Sequence, residues 1–461
     1  MLNLFHLPRR GFAVLFAASF LALGTFVSAQ STESPPELSE HIRDGINPLA
    51  TLVDAKKWDD ALASIDGLLA KVDAKSYDRA FLNGLKAQIL GSKEQYNAAI
   101  EPLATMLKLA DDLKLFRFPR ALPMNEAETL SNLASLIVQD ASMSKDVDYQ
   151  RAAYARAGGY VHRLLDGKKP TLEAQTLLAR ILYSEATLDS SKIDLTLMKQ
   201  AADEAEKALY LVIKPKEDSY TLLLAALQQL GDNNRCSELL ELLVKKFPNN
   251  KGYWPMLFNT YIALQGSGSE TGNGDRSYDL SAVVALERAQ AAGQMTTNKD
   301  NYMLAGLYYN IQQYAFAADL LEKGLHNGKI DSEQKNWELL AACYQQMERE
   351  QRAIEVFIEA IKLFPKSSNL ELQVGQIYYN NDKHAEAEKH FRAAVSKGLP
   401  NPSQTLVLIS YLALEGKRLD DALAAAEKAV HADPKSSEAQ NILKVVKTSI
   451  AEREIFLKNK K

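Results

Sequence analysis

"WELLAACYQQMEREQRAIEVFIEAIKLFP", Trp337 to Pro365, sets large apolar residues, small residues and a closing proline at regular steps. Trp337, Leu340, Ala341 and Tyr344 recur at helical intervals and share one helix face; Ala353, Phe357 and Ala360 do the same on a second helix. The stretch that follows, "LELQVGQIYYNNDKHAEAEKHFRAAVSKGLP", Leu370 to Pro400, repeats the arrangement. Ala341 and Gly375, Tyr344 and Tyr378, Ala353 and Ala387, Phe357 and Phe391, and Ala360 and Ala394 each stand 34 residues apart. Small residues at the close-approach points let two helices pack tightly while the aromatic rings fill the space beside them. Pro365 has no N–H to donate and ends the second helix. A helix pair of this kind cannot bury its apolar face alone, so neighbouring pairs must stack.

The pattern continues outward with decreasing fidelity. Asn301 to Gly324 repeats it through Leu304, Ala305, Tyr308, Ala317 and Leu321. Trp254, Leu257 and Tyr261 begin another first helix, and Ala282, Leu286 and Ala289 supply its second. Between them lies "GSGSETGNGDRS", Gly266 to Ser277, glycine-rich and polar, which reads as a flexible insertion. Tyr220 to Pro248 forms a further unit with its tight turn at Gly231, and Leu406 to Pro434 forms the last. In the first half Ala61, Ile65 and Leu68 mark a second helix, as do Ala99 and Leu103, and helical patterns at 126–166 and 172–213 carry longer turns. "LFRFPRALP", Leu115 to Pro123, breaks the register and reads as a boundary or a hinge. Ala439, Leu443, Val446 and Ile450 stripe a final helix whose other side bears Lys444, Lys447 and Glu454, as a solubilising cap requires.

A 34-residue period with this punctuation resembles the tetratricopeptide repeat (TPR) family, a helix–turn–helix unit. Trp337, Leu340, Ala341, Tyr344, Ala353, Phe357, Ala360 and Pro365 fill its signature positions. The resemblance implies an all-α, TPR-type α-solenoid, a right-handed superhelix of about ten helix–turn–helix pairs closed by a C-terminal capping helix. On this reading the chain divides into a signal peptide at 1–29, degenerate pairs at 30–114, and a linker at 115–123. Further degenerate pairs with long turns occupy 124–216, the regular array 217–437 with its insertion at 266–277, and a capping helix with a basic tail 438–461.

The first residues read as an address. Arg9 and Arg10 precede an apolar run from Gly11 to Phe26, and Val27-Ser28-Ala29 forms a small-residue cleavage site before Gln30. A cleaved secretory signal is the principal reading, with a retained anchor or a twin-arginine signal as alternatives. No cysteine follows the cleavage site, so a lipid anchor is not expected, and a soluble periplasmic protein is. Without Arg9 and Arg10 the 54 basic residues become 52 against 58 acidic ones, a net of −6. That balance argues against nucleic acid or an acidic membrane as the main partner. After Ala29 no apolar run is long enough to span a bilayer, and no membrane insertion is expected once the signal is cleaved. Cys236 and Cys343 lie three repeats apart in this register. With helix layers ~8–10 Å apart that is ~25–30 Å, beyond the ~7 Å between Cα atoms that a disulfide tolerates, so free thiols are expected.

Motifs of chemistry are missing. His384 and His390 are six apart and do not share a helix face as metal ligands would, and His162, His326 and His431 read as solvated helix residues. There is no H-E-x-x-H, G-x-S-x-G or C-x-x-C. "GLHNGKI", Gly324 to Ile330, is one residue short of a phosphate loop and reads as a helix cap and turn. Glu350, Glu355 and Glu359 with Arg349, Arg352 and Lys362 read as a solvated outer face. The reading is a non-enzymatic protein with no cofactor, no metal and no small-molecule ligand.

In stacks of the kind the resemblance implies, the first helix of each pair lines the concave wall. After Tyr308 come Tyr309 and Asn310, after Tyr344 come Gln345 and Gln346, and after Tyr378 come Tyr379 and Asn380. Asn259, Tyr302, Gln376 and Tyr411 point the same way from earlier in their helices. Two readings stand: an amide-and-tyrosine groove for an extended peptide, or ordinary polar surface with tyrosines half-buried between repeats. Lysines and arginines that grip acidic chaperone tails in some TPR domains are absent from these places.

A narrower resemblance rests on "GYWPMLFNTYIAL" (Gly252 to Leu264) and "ALERAQAAGQMTTNKDNYMLAGLYYNIQQYAFAADLLEKGLHNGKI" (Ala285 to Ile330). With the Trp337 stretch they resemble periplasmic TPR proteins encoded beside TonB–ExbB–ExbD machinery, over the region from Asn250 to Pro400. The insertion after Gln265 departs from that pattern. The resemblance implies an accessory scaffold for TonB-dependent outer-membrane transport, with TonB-, ExbB- or ExbD-type components as partners. A scaffold for envelope polysaccharide export or outer-membrane assembly is the alternative in the same class, and an enzyme or substrate-binding protein the alternative in another.

Overall fold

The computed structural model describes residues 34–166, 169–189, 191–267 and 277–459. The signal-peptide reading at 1–29 and the middle of the 266–277 insertion lie outside them; residues 266–267 close one helix and Ser277 opens the next. Among the described residues there is no strand, and no helix is long and apolar enough to cross a membrane.

Two compact units are formed, Met1–Leu239 and Leu240–Lys461. The first holds α1 (Glu40–Asp54), α2 (Trp58–Leu69), α3 (Tyr77–Ser92), α4 (Tyr96–Asp112) and α5 (Glu126–Met143). It continues with α6 (Val147–Leu165), α7 (Leu172–Ala186), α8 (Leu195–Tyr210) and α9 (Glu217–Leu230), and the division falls inside α10 (Asn233–Lys246). The second unit holds α11 (Tyr253–Ser267), α12 (Ser277–Ala291), α13 (Asn298–Asn310), α14 (Tyr314–Asn327) and α15 (Gln334–Gln346). After them come α16 (Glu350–Leu363), α17 (Ser368–Asn380), α18 (His384–Ser396), α19 (Ser403–Glu415), α20 (Leu419–Ala432) and the single long α21 (Ser437–Asn459).

Each core is shared between neighbours, as stacking of insufficient modules demands. In the first unit Ile42, Leu49, Ile65 and Leu82 join α1 to α3, and a larger core from Ala80 to Ile181 runs through α3–α7. In the second, Phe258, Leu286 and Leu304 join α11 to α13. Ala317, Leu321, Trp337, Ala341, Phe357 and Leu370 join α14 to α17, and Phe391, Ile409, Ala425 and Ala439 carry the core to α21. The residues that defined the repeat are therefore the buried ones: Trp337, Leu340, Ala341, Tyr344, Ala353, Phe357 and Ala360 are all under 10 % exposed. Cys236 and Cys343 are buried and unbridged. Burial pushes their thiols up to about 11 and about 12, so both should stay unreacted with a thiol-specific reagent in the native state and react fully in denaturant.

Tight turns repeat with the helices. Gln312, Glu348, Asp382 and Lys417 take φ of 64°, 57°, 56° and 56°, and Gly231 does so at 67° in the turn after α9. The N–H of the next residue then bonds five back: Gln313 to Tyr308 O at 2.8 Å, Arg349 to Tyr344 O at 2.8 Å, Lys383 to Tyr378 O at 2.9 Å. This left-handed closure satisfies the last carbonyls of each first helix. Glycine enters that region freely and glutamate does not, so Glu348→Gly should raise stability by about 0.5–1 kcal/mol, read as a higher urea midpoint.

Leu115–Pro123 lies inside the first unit. It opens with a single 3-10 turn, Leu115–Arg117, and buries Leu115, Ala121 and Leu122. Tyr77 Oη donates to Ala121 O at 2.5 Å and Gln88 Nε2 to Pro123 O at 3.1 Å, which tie the stretch to α3. In the "GLHNGKI" turn the cap is Gly328 at φ 75°, whereas Gly324 lies within the helix, where an added Cβ would come within 2.6 Å of Ile330 Cδ1.

Candidate functional site

Three consecutive first helices end on an amide: Asn310 closes α13, Gln346 closes α15 and Asn380 closes α17. All three are exposed, while the penultimate Tyr309, Gln345 and Tyr379 lean half-buried into the stack. Helical geometry explains the alternation, since adjacent residues turn about 100° apart and only one of two can face outward.

The tyrosines are fixed from behind. Tyr309 meets the Tyr314 ring edge-on, centroids 5.2 Å apart, and burial raises its hydroxyl pKa. Tyr379 stacks on His384 at 5.8 Å and tilts against Phe391 at 6.3 Å. Tyr302 is half-buried on α13, with the Lys335 ammonium of α15 5.8 Å from its ring centroid. Tyr411, 43 % exposed on α19, has its hydroxyl raised chiefly by the charge of Glu415 and also feels Tyr379.

Gln376 and Asn380 are brought together: Gln376 Nε2 donates to Asn380 Oδ1 at 3.0 Å. Their amides are thus partly committed to each other, leaving the Asn380 N–H groups directed elsewhere. Asn310 and Gln346 stand one pair apart at their own helix ends, and Asn259 is exposed on α11, further upstream. The charged groups beside the row have partners within the protein: Lys335 pairs with Glu333 at 2.6 Å, and Glu338 accepts from Gln334 and Asn369 at 2.8 and 2.9 Å. The arrangement offers hydrogen bonds and rigid ring surface.

Polar groups with no counterpart in the sequence reading lie between the pairs. Glu371 is buried and accepts from His390 Nδ1 at 2.6 Å and Lys397 Nζ at 2.7 Å. Glu388, equally buried, accepts from Arg392 at 2.7 Å and also from Arg418 beyond α19. Burial alone would raise both carboxyls, but the bonds from these donors outweigh it and hold each below the usual carboxylate range. The face read as solvated is largely exposed and is also bonded, in part across helices. Arg352 joins Glu355 at 2.7 Å and Glu322 of α14, and Glu359 meets His326 Nε2 at 3.1 Å. His326, exposed as expected, also sits edge-on to Trp337 at 5.7 Å. His384 bonds Glu415 at 2.9 Å, and the two close histidines serve separate carboxylates. Among the described residues no group of three His, Cys, Asp or Glu is placed to hold a metal ion.

No curated protein matches the chain. Among solved structures, YrrB, described as a TPR protein with an unusual peptide-binding site, is 17 % identical, covering 45 % of this chain and 99 % of that one with a TM-score of 0.32. PilF of Pseudomonas aeruginosa is 18 % identical over 52 % of this chain and 97 % of its own, TM-score 0.30. The APC/C hetero-tetramer Cut9–Hcn1 gives 14 % identity, 88 % and 96 % coverage and a TM-score of 0.27. Residues 335–367, which take in α15, α16 and the exit from α16, match the family model described as Tetratricopeptide repeat, and the fold is an all-α stack of helix pairs of that type.

Proposed function

We propose that the protein is a non-enzymatic scaffold that holds an extended stretch of a partner polypeptide along the first helices of its second unit. One observation carries this reading: the exposed amides Asn310, Gln346 and Asn380 end three successive first helices, with tyrosines braced beside two of them. Each amide has both a donor and an acceptor, which suits the alternating N–H and C=O of an extended backbone, and the rings add contact area at low entropic loss. Repeat stacking leaves this face to a ligand because the apolar faces are used up between pairs.

The basic pair, apolar run and Val27-Ser28-Ala29 site support a periplasmic location for the scaffold. The likeness of Asn250 to Pro400 to periplasmic TPR proteins encoded beside TonB–ExbB–ExbD supports an accessory place in that energy-transducing system. There the scaffold would hold a motor or link component by many weak contacts.

Asn310→Ala combined with Asn380→Ala should weaken partner capture about thirtyfold, at roughly 1 kcal/mol for each of two lost bonds, while helicity and melting stay at wild-type values. Undiminished capture by the double variant would refute the groove. Recovery of the protein in the cytoplasmic fraction would refute the location, and a captured partner from the polysaccharide-export or outer-membrane-assembly machinery would refute the TonB assignment alone.

A further inference from the structure

Leu115–Pro123 breaks the repeat register, and the row of amides makes no use of it. Between Asp112 and Glu126 the chain carries Lys114, Arg117 and Arg120 and no acidic residue, in a protein whose net charge is −4. One guanidinium holds the two ends of this stretch together. Arg163 of α6 donates to both carboxylate oxygens of Asp111, near the end of α4, at 2.6 Å, and to Glu126 Oε1, at the start of α5, at 2.8 Å. That contact closes a compact loop at its base. It also commits an acid at each end to Arg163, so the loop's own cations are left without them.

The loop is fixed on its buried side and cationic where it meets water. Leu115, Ala121 and Leu122 are buried, and Phe116 packs half-buried against the core shared by α3–α7. Lys114, Arg117 and Arg120 are all exposed. The Arg117 guanidinium lies 4.7 Å from the centre of the Phe118 ring, and the Lys114 and Arg120 side chains have no partner among the described residues. Both of those residues are left-handed, at φ 51° and 67°. At the repeat turns such a residue is followed by an N–H that bonds five residues back. After Arg120 the Ala121 N–H reaches only three back, to Phe118 O at 3.2 Å. Repeat-turn closure therefore does not account for the strain of a non-glycine residue there.

We infer that residues 112–125 form a second docking surface, for an acidic segment of a polypeptide, with Lys114, Arg117 and Arg120 pairing to its carboxylates. Two of the three cations are arginines, whose planar guanidinium meets a carboxylate at two points. A bilayer suits the loop less: basic segments that hold anionic lipid carry about four to eight cations, and Phe116 and Phe118 are half-buried, not projected. A polynucleotide, charged along its whole length, would meet the repulsion of the chain's excess acid beyond the loop. A short acidic segment touches the loop alone. This surface belongs to the first unit and does not depend on the amide row of the second.

The test is fluorescence anisotropy of the protein, as purified from cells, with a labelled peptide of alternating glutamate and serine and with its glutamine counterpart. Binding is expected for the glutamate peptide only, and it should weaken as salt screens the charges. Arg117→Gln with Arg120→Gln should weaken it about tenfold, each exposed guanidinium–carboxylate pair being worth roughly threefold. Lys114→Gly with Arg120→Gly separates binding from folding. Glycine relieves the left-handed strain, so the urea midpoint should rise while affinity falls about tenfold. Failure to bind the glutamate peptide overturns the inference, as does equal binding of both peptides or undiminished affinity in the two variants. Binding of single-stranded DNA or of phosphatidylglycerol vesicles in place of the peptide, lost in the same variants, gives the loop to another class of partner and overturns it too.

Discussion

Replacing Phe391 with alanine will destabilise the second unit by about 3–5 kcal/mol, the range for deleting a buried aromatic ring. Phe391 is fully buried in α18. Its partner position is Gly375 of α17, where an added Cβ would lie 2.6 Å from Phe391 Cδ1 and 2.7 Å from Cε1. The ring thus occupies the space that the missing side chain leaves, and the Tyr379 ring closes on it from the side. Without the ring, helices already held at close approach by glycine have little left to collapse with, so most of the cavity persists. Amide exchange should accelerate most in α17 and α18, because stability in a stack is a sum of local and nearest-neighbour terms. An exchange pattern no different from that of a surface change such as Lys389→Ala would contradict this packing.

Glu388→Ala should be the second most damaging change, at about 2–3 kcal/mol. It leaves Arg392 and Arg418 beside one another with no anion between them. The loss falls short of the ~3–5 kcal/mol of a fully buried pair, because both guanidiniums are 45 % exposed and can rehydrate. The same carboxylate sets an acid limit. Glu388 and Glu371 are held below the usual carboxylate range, burial being outweighed by Arg418 and Arg392 in one case and by Lys397 and His390 in the other. A folded pKa below the unfolded one, about 4.3, gives stability that is complete above that value and is lost as pH falls through the folded one. Wild-type melting should therefore decline below about pH 4, and the decline should be shallower for Glu388→Ala.

The regular pairs were legible because their determinants are local. Trp337, Ala341, Phe357 and Gly375 sit at fixed helical offsets, and a small residue facing an aromatic one can be read 34 residues on without knowing the fold. The turns were legible in part: Gly231 advertises a left-handed residue, but Glu348 and Lys417 occupy the same conformation without any compositional sign. Leu115–Pro123 could not be read, since what ties it down is Tyr77 and Gln88 bonding loop carbonyls 44 and 35 residues away. Glu371 and Glu388 look like any helix-surface acids in sequence; their burial depends on Lys397 and Arg418, which come from other elements. At the candidate site, the exposure of Asn310, Gln346 and Asn380 followed from register alone. The pairing of Gln376 with Asn380 follows from their four-residue spacing, a neighbour relation on a helix that the sequence reading did not use.

The central claim, that successive first helices form one row holding one polypeptide, is tested most directly by site-specific photocrosslinking in living cells. A photoreactive residue is placed singly at Asn310, Gln346 and Asn380, with Lys362 on a second helix as the control. The account predicts that the three positions capture the same polypeptide, through neighbouring segments of its chain, and that Lys362 captures none of it. Capture from Lys362 in place of the three, or three unrelated sets of products, would contradict it.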